Sequence, residues 1–141
     1  MREILFRGKR LDNGEWVEGW YEMYPFGRWP VKTSIIPSEE AKDGHYEHMQ
    51  VDPSTIGQYT GLKDKNGKRI FEGDILRWTG EDGETGKVIV IFAGGSFLLK
   101  CVEVLDAPAD PFDEFNRGGQ TLEVIGNIHD NPELLEGGDE G

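Results

Sequence analysis

Cysteine is almost missing from this sequence: Cys101 is the only one in 141 residues. A single thiol forms no internal disulfide, and a cysteine-based zinc cluster is excluded. Long apolar runs are missing as well. The longest, Val88 to Ala93, falls far short of the roughly 20 residues that a membrane-spanning helix needs. Met1-Arg2-Glu3 leads straight into the strand-like Ile4-Leu5-Phe6, without the apolar stretch of a signal peptide, so a reducing cytoplasm is the expected location. Positive charge is scarce, with 15 basic against 27 acidic residues and a net charge of −12. A field of that sign repels phosphate backbones and disfavours generic nucleic-acid or anionic-membrane binding. Keeping the protein soluble is the simplest use of such an excess.

What is present points to a folded chain. Hydrophobic residues make up 36 % and aromatics 11 %, too much for a disordered polypeptide, and the length fits one domain. The organising stretch is Tyr59 to Ile75. Asn66-Gly67 lies between two short strand-like runs and predicts a two-residue type I′ hairpin, with Asp64 opposite Arg69 and Leu62 opposite Phe71. Glu72-Gly73-Asp74 punctuates its exit, and Ile75 to Trp78 begins another strand. Upstream, Asp12-Asn13-Gly14 predicts a second hairpin of the same kind, opposing Lys9 to Glu18, Leu11 to Trp16 and Gly8 to Gly19. Facing glycines would let another element approach closely.

Downstream, Gly94-Gly95 predicts a two-residue loop that pairs Phe92 with Phe97, Ile91 with Leu98 and Val88 with Cys101. Both faces of the strand from Lys87 to Phe92 are apolar, which places it centrally in a sheet. Leu122 to Ile128 reads as a last strand. Ser38 to Met49 reads as a loop with one helical turn after Ser38, and Asn131-Pro132 as a cap and first position of a short terminal turn. The expected fold class is mainly β: antiparallel hairpins forming coiled sheets or a small barrel-like core, SH3-like in the C-terminal half from Phe71 to Ile128, with one or two short helical turns. One domain spans 1–141, with 1–57 as hairpin and loops, 58–136 as the barrel-like part and 137–141 as a frayed tail.

Several of these pieces also occur together elsewhere. Arg2-Glu3-Ile4-Leu5-Phe6-Arg7, Gln58 to Gly67, Ile70 to Ile75, Glu123 to Ile128 and Asn131 to Leu135 stand in an order that resembles the YopX family of bacteriophage and prophage proteins. The resemblance implies a mainly-β fold and a phage or prophage origin. It implies no activity and offers no catalytic residues to carry over. Residues Met23 to Val51 and Leu105 to Gly119 carry none of the family's motifs.

Candidate chemistry is sparse. Gly61 to Arg69 fails as a phosphate loop, because five residues separate the glycines and Arg69 stands in place of Ser or Thr. His45 and His48, with His129 or a carboxylate, match no metal signature and are expected to be solvent-exposed bystanders. Cys101 is expected to fill space in a strand, having no neighbouring base to activate it. Asp110, Asp113 and Glu114 are expected to be a solvated loop face. Lys63, Lys65, Lys68 and Arg69 form one basic cluster beside Tyr59 and Phe71, and Arg2, Arg7, Lys9 and Arg10 form another. Cations interleaved with aromatics suit single-stranded nucleic acid, whereas at a hairpin tip they keep an edge soluble. Of Trp16, Trp20, Trp29 and Trp78, Trp29 is the one expected to be exposed.

No catalytic residue, cofactor or metal is expected. The function expected is a non-enzymatic module that binds a host or phage protein, with Trp29, Lys63, Lys65, Lys68 and Arg69 as its candidate surface. The alternatives are a nucleic-acid-associated small barrel using residues 63–69 and, behind it, a metal-dependent enzyme. Self-association through sheet edges is compatible with either binding role.

Overall fold

Glycine-bearing hairpins build most of the described fold. The structure, a computed structural model, describes residues 5–24, 32–37, 49–102, 110–111 and 121–135. The elements are β1 (Phe6–Lys9), β2 (Trp16–Tyr24), β3 (Lys32–Pro37), β4 (Met49–Gln50), β5 (Gly57–Lys63), β6 (Arg69–Phe71), β7 (Asp74–Thr79), β8 (Thr85–Ala93), β9 (Ser96–Cys101), β10 (Asp110–Pro111) and β11 (Thr121–Asn127). Two 3-10 turns cover Pro53–Thr55 and Pro132–Leu135. The chain divides into two compact units, Met1–Tyr59 and Thr60–Gly141, so β5 begins in the first and ends in the second. The mainly-β expectation holds.

In the first unit the strand order is β4-β3-β2-β1-β5. The β1–β2 register differs from the expected one: Lys9 faces Trp16, Gly8 faces Val17, Arg7 faces Glu18 and Phe6 faces Gly19. The loop is longer than two residues, because Arg10 N–H donates to Glu15 O at 2.8 Å and Gly14 N–H to Arg10 O at 2.9 Å. Local side-chain bonds cause this. Asn13 Oδ1 accepts the Glu15 N–H at 2.9 Å, and Arg10 donates twice to the Asp12 carboxylate, at 3.0 and 2.7 Å. Such short-range bonds compete with the ladder and enlarge the loop. The slip is by two residues, so each side chain keeps its face.

The close approach expected at Gly8 is present, though Gly19 does not face it. A Cβ on Gly8 would lie 3.0 Å from Ile56 Cδ1 and 3.1 Å from Val51 Cβ. Segment 49–52 explains the crowding. It pairs with β3 through Ser34–Gln50 and Ile35–Met49, and it reaches the end of β1 through an Arg10–Val51 bridge. Leu11 N–H donates to Gln50 O at 3.0 Å, and Asp52 N–H to Lys9 O at 2.9 Å. One segment therefore touches both margins of the β1–β3 meander and coils it, without a ladder long enough to close a barrel. Asp52 Oδ1 then caps the Pro53–Thr55 turn by accepting the Ser54 N–H at 3.0 Å. The Asp52-Pro53 pair was a legible signal for that turn, an N-cap followed by proline at the first position.

The second unit holds a five-stranded antiparallel sheet in the order β10-β9-β8-β7-β11, with the end of β5 pairing beside it with β6. The β8–β9 hairpin has the expected register, Phe92–Phe97, Ile91–Leu98 and Val88–Cys101, around Gly94 (φ 61°) and Gly95 (φ 84°). β8 is central, as its apolar faces predict. Ile70, Leu76, Val88, Val90, Leu99 and Leu122 form the buried core, with Leu62, Trp78, Phe97 and Val124 packed against it. Burying each such aliphatic side chain stabilises by about 1.5–3 kcal/mol. Trp78 lies over its cross-strand partner Gly86, where a Cβ would sit 2.8 Å from Trp78 Cε2.

Among the described residues the SH3-like barrel expected for Phe71 to Ile128 is not formed; the sheet runs open from β10 to β11. The outer margin of β11 is occupied by side chains and a loop instead of a closing strand. Val124 N–H donates to Asp64 Oδ2 at 2.9 Å, and Asn127 N–H to Asn131 Oδ1 at 3.2 Å. Leu122 O accepts the Lys65 N–H at 2.9 Å. The short turn expected after Asn131-Pro132 is formed at Pro132–Leu135, and the Asn131 backbone carbonyl accepts the Leu134 N–H at 3.0 Å. The helical turn expected after Ser38 lies outside the described residues.

Candidate functional site

The β5–β6 hairpin carries four of the five candidate surface residues, and Asp64 shapes it. The two-residue Asn66-Gly67 loop is not formed. Asp64 N–H donates to Lys68 O at 2.8 Å and Gly67 N–H to Asp64 O at 3.0 Å, so Lys65, Asn66 and Gly67 make a three-residue loop. Only Gly67 takes positive φ, at 83°, and Asn66 does not. This is a type I turn closed by a left-handed glycine. The cause is again a side chain accepting nearby backbone N–H groups: Asp64 Oδ1 accepts Asn66 N–H at 2.8 Å and Lys68 N–H at 2.9 Å.

The other Asp64 oxygen leaves the hairpin for Val124 on β11. Burial alone would push this carboxyl up. The N–H groups of Val124, Lys68 and Asn66, with the Lys68 charge, outweigh it and hold the carboxyl below its ordinary range. Asp64 thus faces backbone donors instead of Arg69, and the expected ionic pair is replaced by a clasp between hairpin and sheet.

Around this buried acid the cations point outward. Lys63, Lys65, Lys68 and Arg69 are all exposed. Leu62 and Ile70 pack on the core, so alternation puts Lys63 and Arg69 on the opposite face of the ribbon. Lys65 Nζ stands 3.9 Å from Glu123 Oε1, a long pair between exposed groups that fixes little. The aromatics that sequence placed beside these cations are inside: Tyr59 is 4 % exposed and Phe71 2 %. Asp74 is buried as well, its Oδ2 accepting the Phe71 N–H at 2.8 Å to close the Glu72-Gly73 turn.

The second basic cluster turns inward on its own unit. Arg7 Cζ lies 4.5 Å and Lys9 Nζ 5.7 Å from the centre of the Trp16 ring, and Arg10 is held by Asp12. These are cation–π contacts within the β1–β2 ribbon. Cys101 stands opposite Val88, as expected, but is half-buried where a buried side chain was expected.

Trp29, His45, His48, Asp113 and Glu114 lie outside the described residues, as does Arg2. Among the described residues no three His, Cys, Asp or Glu side chains are grouped to hold a metal ion. His129 belongs to a turn in which its N–H and that of Asp130 both donate to Asn127 Oδ1 at 2.9 Å. What sequence reasoning missed is apolar exposure: Trp20 is 47 % exposed, Phe92 45 % and Leu11 61 %. The signal for Phe92 was its position at a Gly-Gly loop, where a strand runs out of neighbours.

Comparison with known proteins agrees with this architecture. The YopX protein family pattern matches residues 5–136. The SPbeta prophage-derived uncharacterized protein YopX of Bacillus subtilis (strain 168) is 35 % identical over 75 residues, which is 50 % of this chain and 53 % of that protein. The match thus spans about half the length of that relative. The crystal structure of protein EF1440 from Enterococcus faecalis aligns with a TM-score of 0.52 and 28 % identity, covering 96 % of this chain and 100 % of that one. No described helix is long and apolar enough to cross a membrane. With the family's pattern running from the first buried leucine to the terminal turn, the chain belongs to the YopX protein family.

Proposed function

We propose that the chain is a non-enzymatic module that binds a protein partner, encoded by a phage or prophage and acting in the cytoplasm of a bacterial host. The prophage-derived name of its relative supports the origin. The observation that carries the binding role is the outward display of large apolar side chains, Trp20 at 47 % and Phe92 at 45 % exposure. Both sit on regular strands, where a fixed backbone presents them at low entropic cost. Tryptophan and other aromatics dominate contact energies between proteins. Reactive groups, by contrast, are engaged in the fold: Asp64 and Asp74 bind backbone N–H groups.

The nucleic-acid reading has one observation in its favour, the exposed cations of the hairpin. Among the described residues the two aromatics flanking those cations, Tyr59 and Phe71, are buried and offer no stacking platform beside them. Site-specific photo-crosslinking tests the proposal. A benzophenone amino acid at position 20 or 92, irradiated in host cells, is expected to give a protein adduct resistant to nuclease. Adducts confined to nuclease-sensitive material, or none at either position, would overturn it.

A further inference from the structure

We infer that the hairpin tip formed by Lys63, Lys65, Lys68 and Arg69 is a docking surface for an acidic, extended segment of another protein, an inference that rests on the protein-binding reading above. Residues 63–69 contain four cations and one acid, a local charge of +3 in a chain of −12, so the remainder carries −15. The one acid is turned inward. Asp64 is 8 % exposed and accepts N–H groups from Asn66, Lys68 and Val124, while the four cations are exposed around it.

The same bonds hold the tip in place. Gly67 at φ 83° fixes the turn, and Asp64 and Lys65 fasten it to Val124 and Leu122. A partner therefore meets a preorganised array, with little ordering left to do. Arg69 adds a permanently charged, planar guanidinium to the exposed array. Lys65 already stands near one carboxylate, Glu123 at 3.9 Å, in an exposed arrangement that a partner's acid can replace.

The size of the acidic partner follows from the charge balance. A nucleic-acid duplex brings a long, dense line of phosphates that meets the −15 remainder as well as the tip. A short acidic segment keeps its charges near the tip. At about 0.1 M salt the Debye length is about 10 Å, so repulsion from distant acids is damped while contacts at the tip persist. Tyr59 on β5 and Phe71 on β6 are buried and offer bases nothing to stack on.

The test is fluorescence anisotropy of the full chain with a labelled decaglutamate peptide and, separately, a labelled dodecathymidylate, both at about 0.1 M salt. Wild type is expected to bind the peptide more tightly than the oligonucleotide. Lys63→Ala, Lys65→Ala, Lys68→Ala and Arg69→Ala combined should weaken peptide binding at least tenfold, with at most a small drop in thermal midpoint because backbone donors hold Asp64 more than the Lys68 charge does. Arg69→Lys, which keeps charge and loses the planar guanidinium, should weaken it two- to threefold. Equal binding by wild type and the quadruple variant, no peptide binding by either, or tighter binding of the oligonucleotide would overturn the inference. Protein adducts at positions 20 or 92 alongside any of those results would leave the protein-binding reading standing.

Discussion

Two loops in this molecule begin with the same chemistry and end differently. Asp12-Asn13-Gly14 and Asp64-Lys65-Asn66-Gly67 each use an aspartate, an asparagine and a left-handed glycine, Gly14 at φ 73° and Gly67 at φ 83°. In the first, Asp12 pairs with Arg10 two residues away and remains in solvent, where the arginine hydrogen bonds lower its carboxyl pKa. In the second, Asp64 is buried and reaches Val124, 60 residues on. The first acid shapes a loop. The second shapes a loop and fastens it to a sheet.

The sharpest way to break this contrast is Asp64→Ala. Three N–H groups lose a charged acceptor, and two of them, on Asn66 and Lys68, can turn to water. Charged hydrogen bonds contribute about 1.5–3 kcal/mol each, so a loss of about 3 kcal/mol by urea unfolding is expected. An effect no larger than that of Asp12→Ala would show that the clasp is ornamental. Gly126→Ala comes next. Its Cβ would lie 2.6 Å from Asn131 Oδ1, forcing that side chain off the Asn127 N–H. A cost of about 2 kcal/mol is expected, as for other forced repackings, and Asn131→Ala in the same chain should relieve the clash but not restore the lost cap.

Acid provides a gentler comparison. The folded Asp64 carboxyl is held below its ordinary range, so its contribution is fully present above that range and is lost as pH falls through the folded pKa. The gap in urea midpoint between wild type and Asp64→Asn should be constant from pH 7 to about 5 and shrink below pH 4. A gap that widens on acidification would contradict the assigned sign. Smallest of all, Asp12→Ala should leave the unfolding midpoint unchanged within error, since the pair it breaks is exposed. A clear shift there would place Asp12 in the same class as Asp64.

The hairpins also show what a sequence reveals. Gly94-Gly95 has no side chains to bond with, so only backbone twist decides the loop, and the Phe92–Phe97 register was legible to the residue. Asn13 and Asp64 accept their neighbours' N–H groups and lengthen their loops, which shifts pairing from a simple two-residue count. The Asp64–Val124 bond was not legible at all, because nothing local marks a partner 60 residues away. The open sheet was missed for the same reason: the groups at the β11 margin come from Asp64 and Asn131, whose local signals were a turn and a helix cap. For the candidate surface, exposure of the four cations followed from their place at a turn, and Trp29 lies outside the described residues. Burial of Tyr59 and Phe71 was not drawn from the pattern, although aromatics flanking a hairpin on one sheet face are usually covered.

The outer margin of β11 has one more consequence. A strand at the end of an open sheet normally offers vacant amides to which any passing chain can zip. Here the donors at 124 and 127 and the acceptor at 122 already have partners within the same molecule. A neighbouring chain would find no template for strand addition at those positions, where the border is occupied from within the molecule.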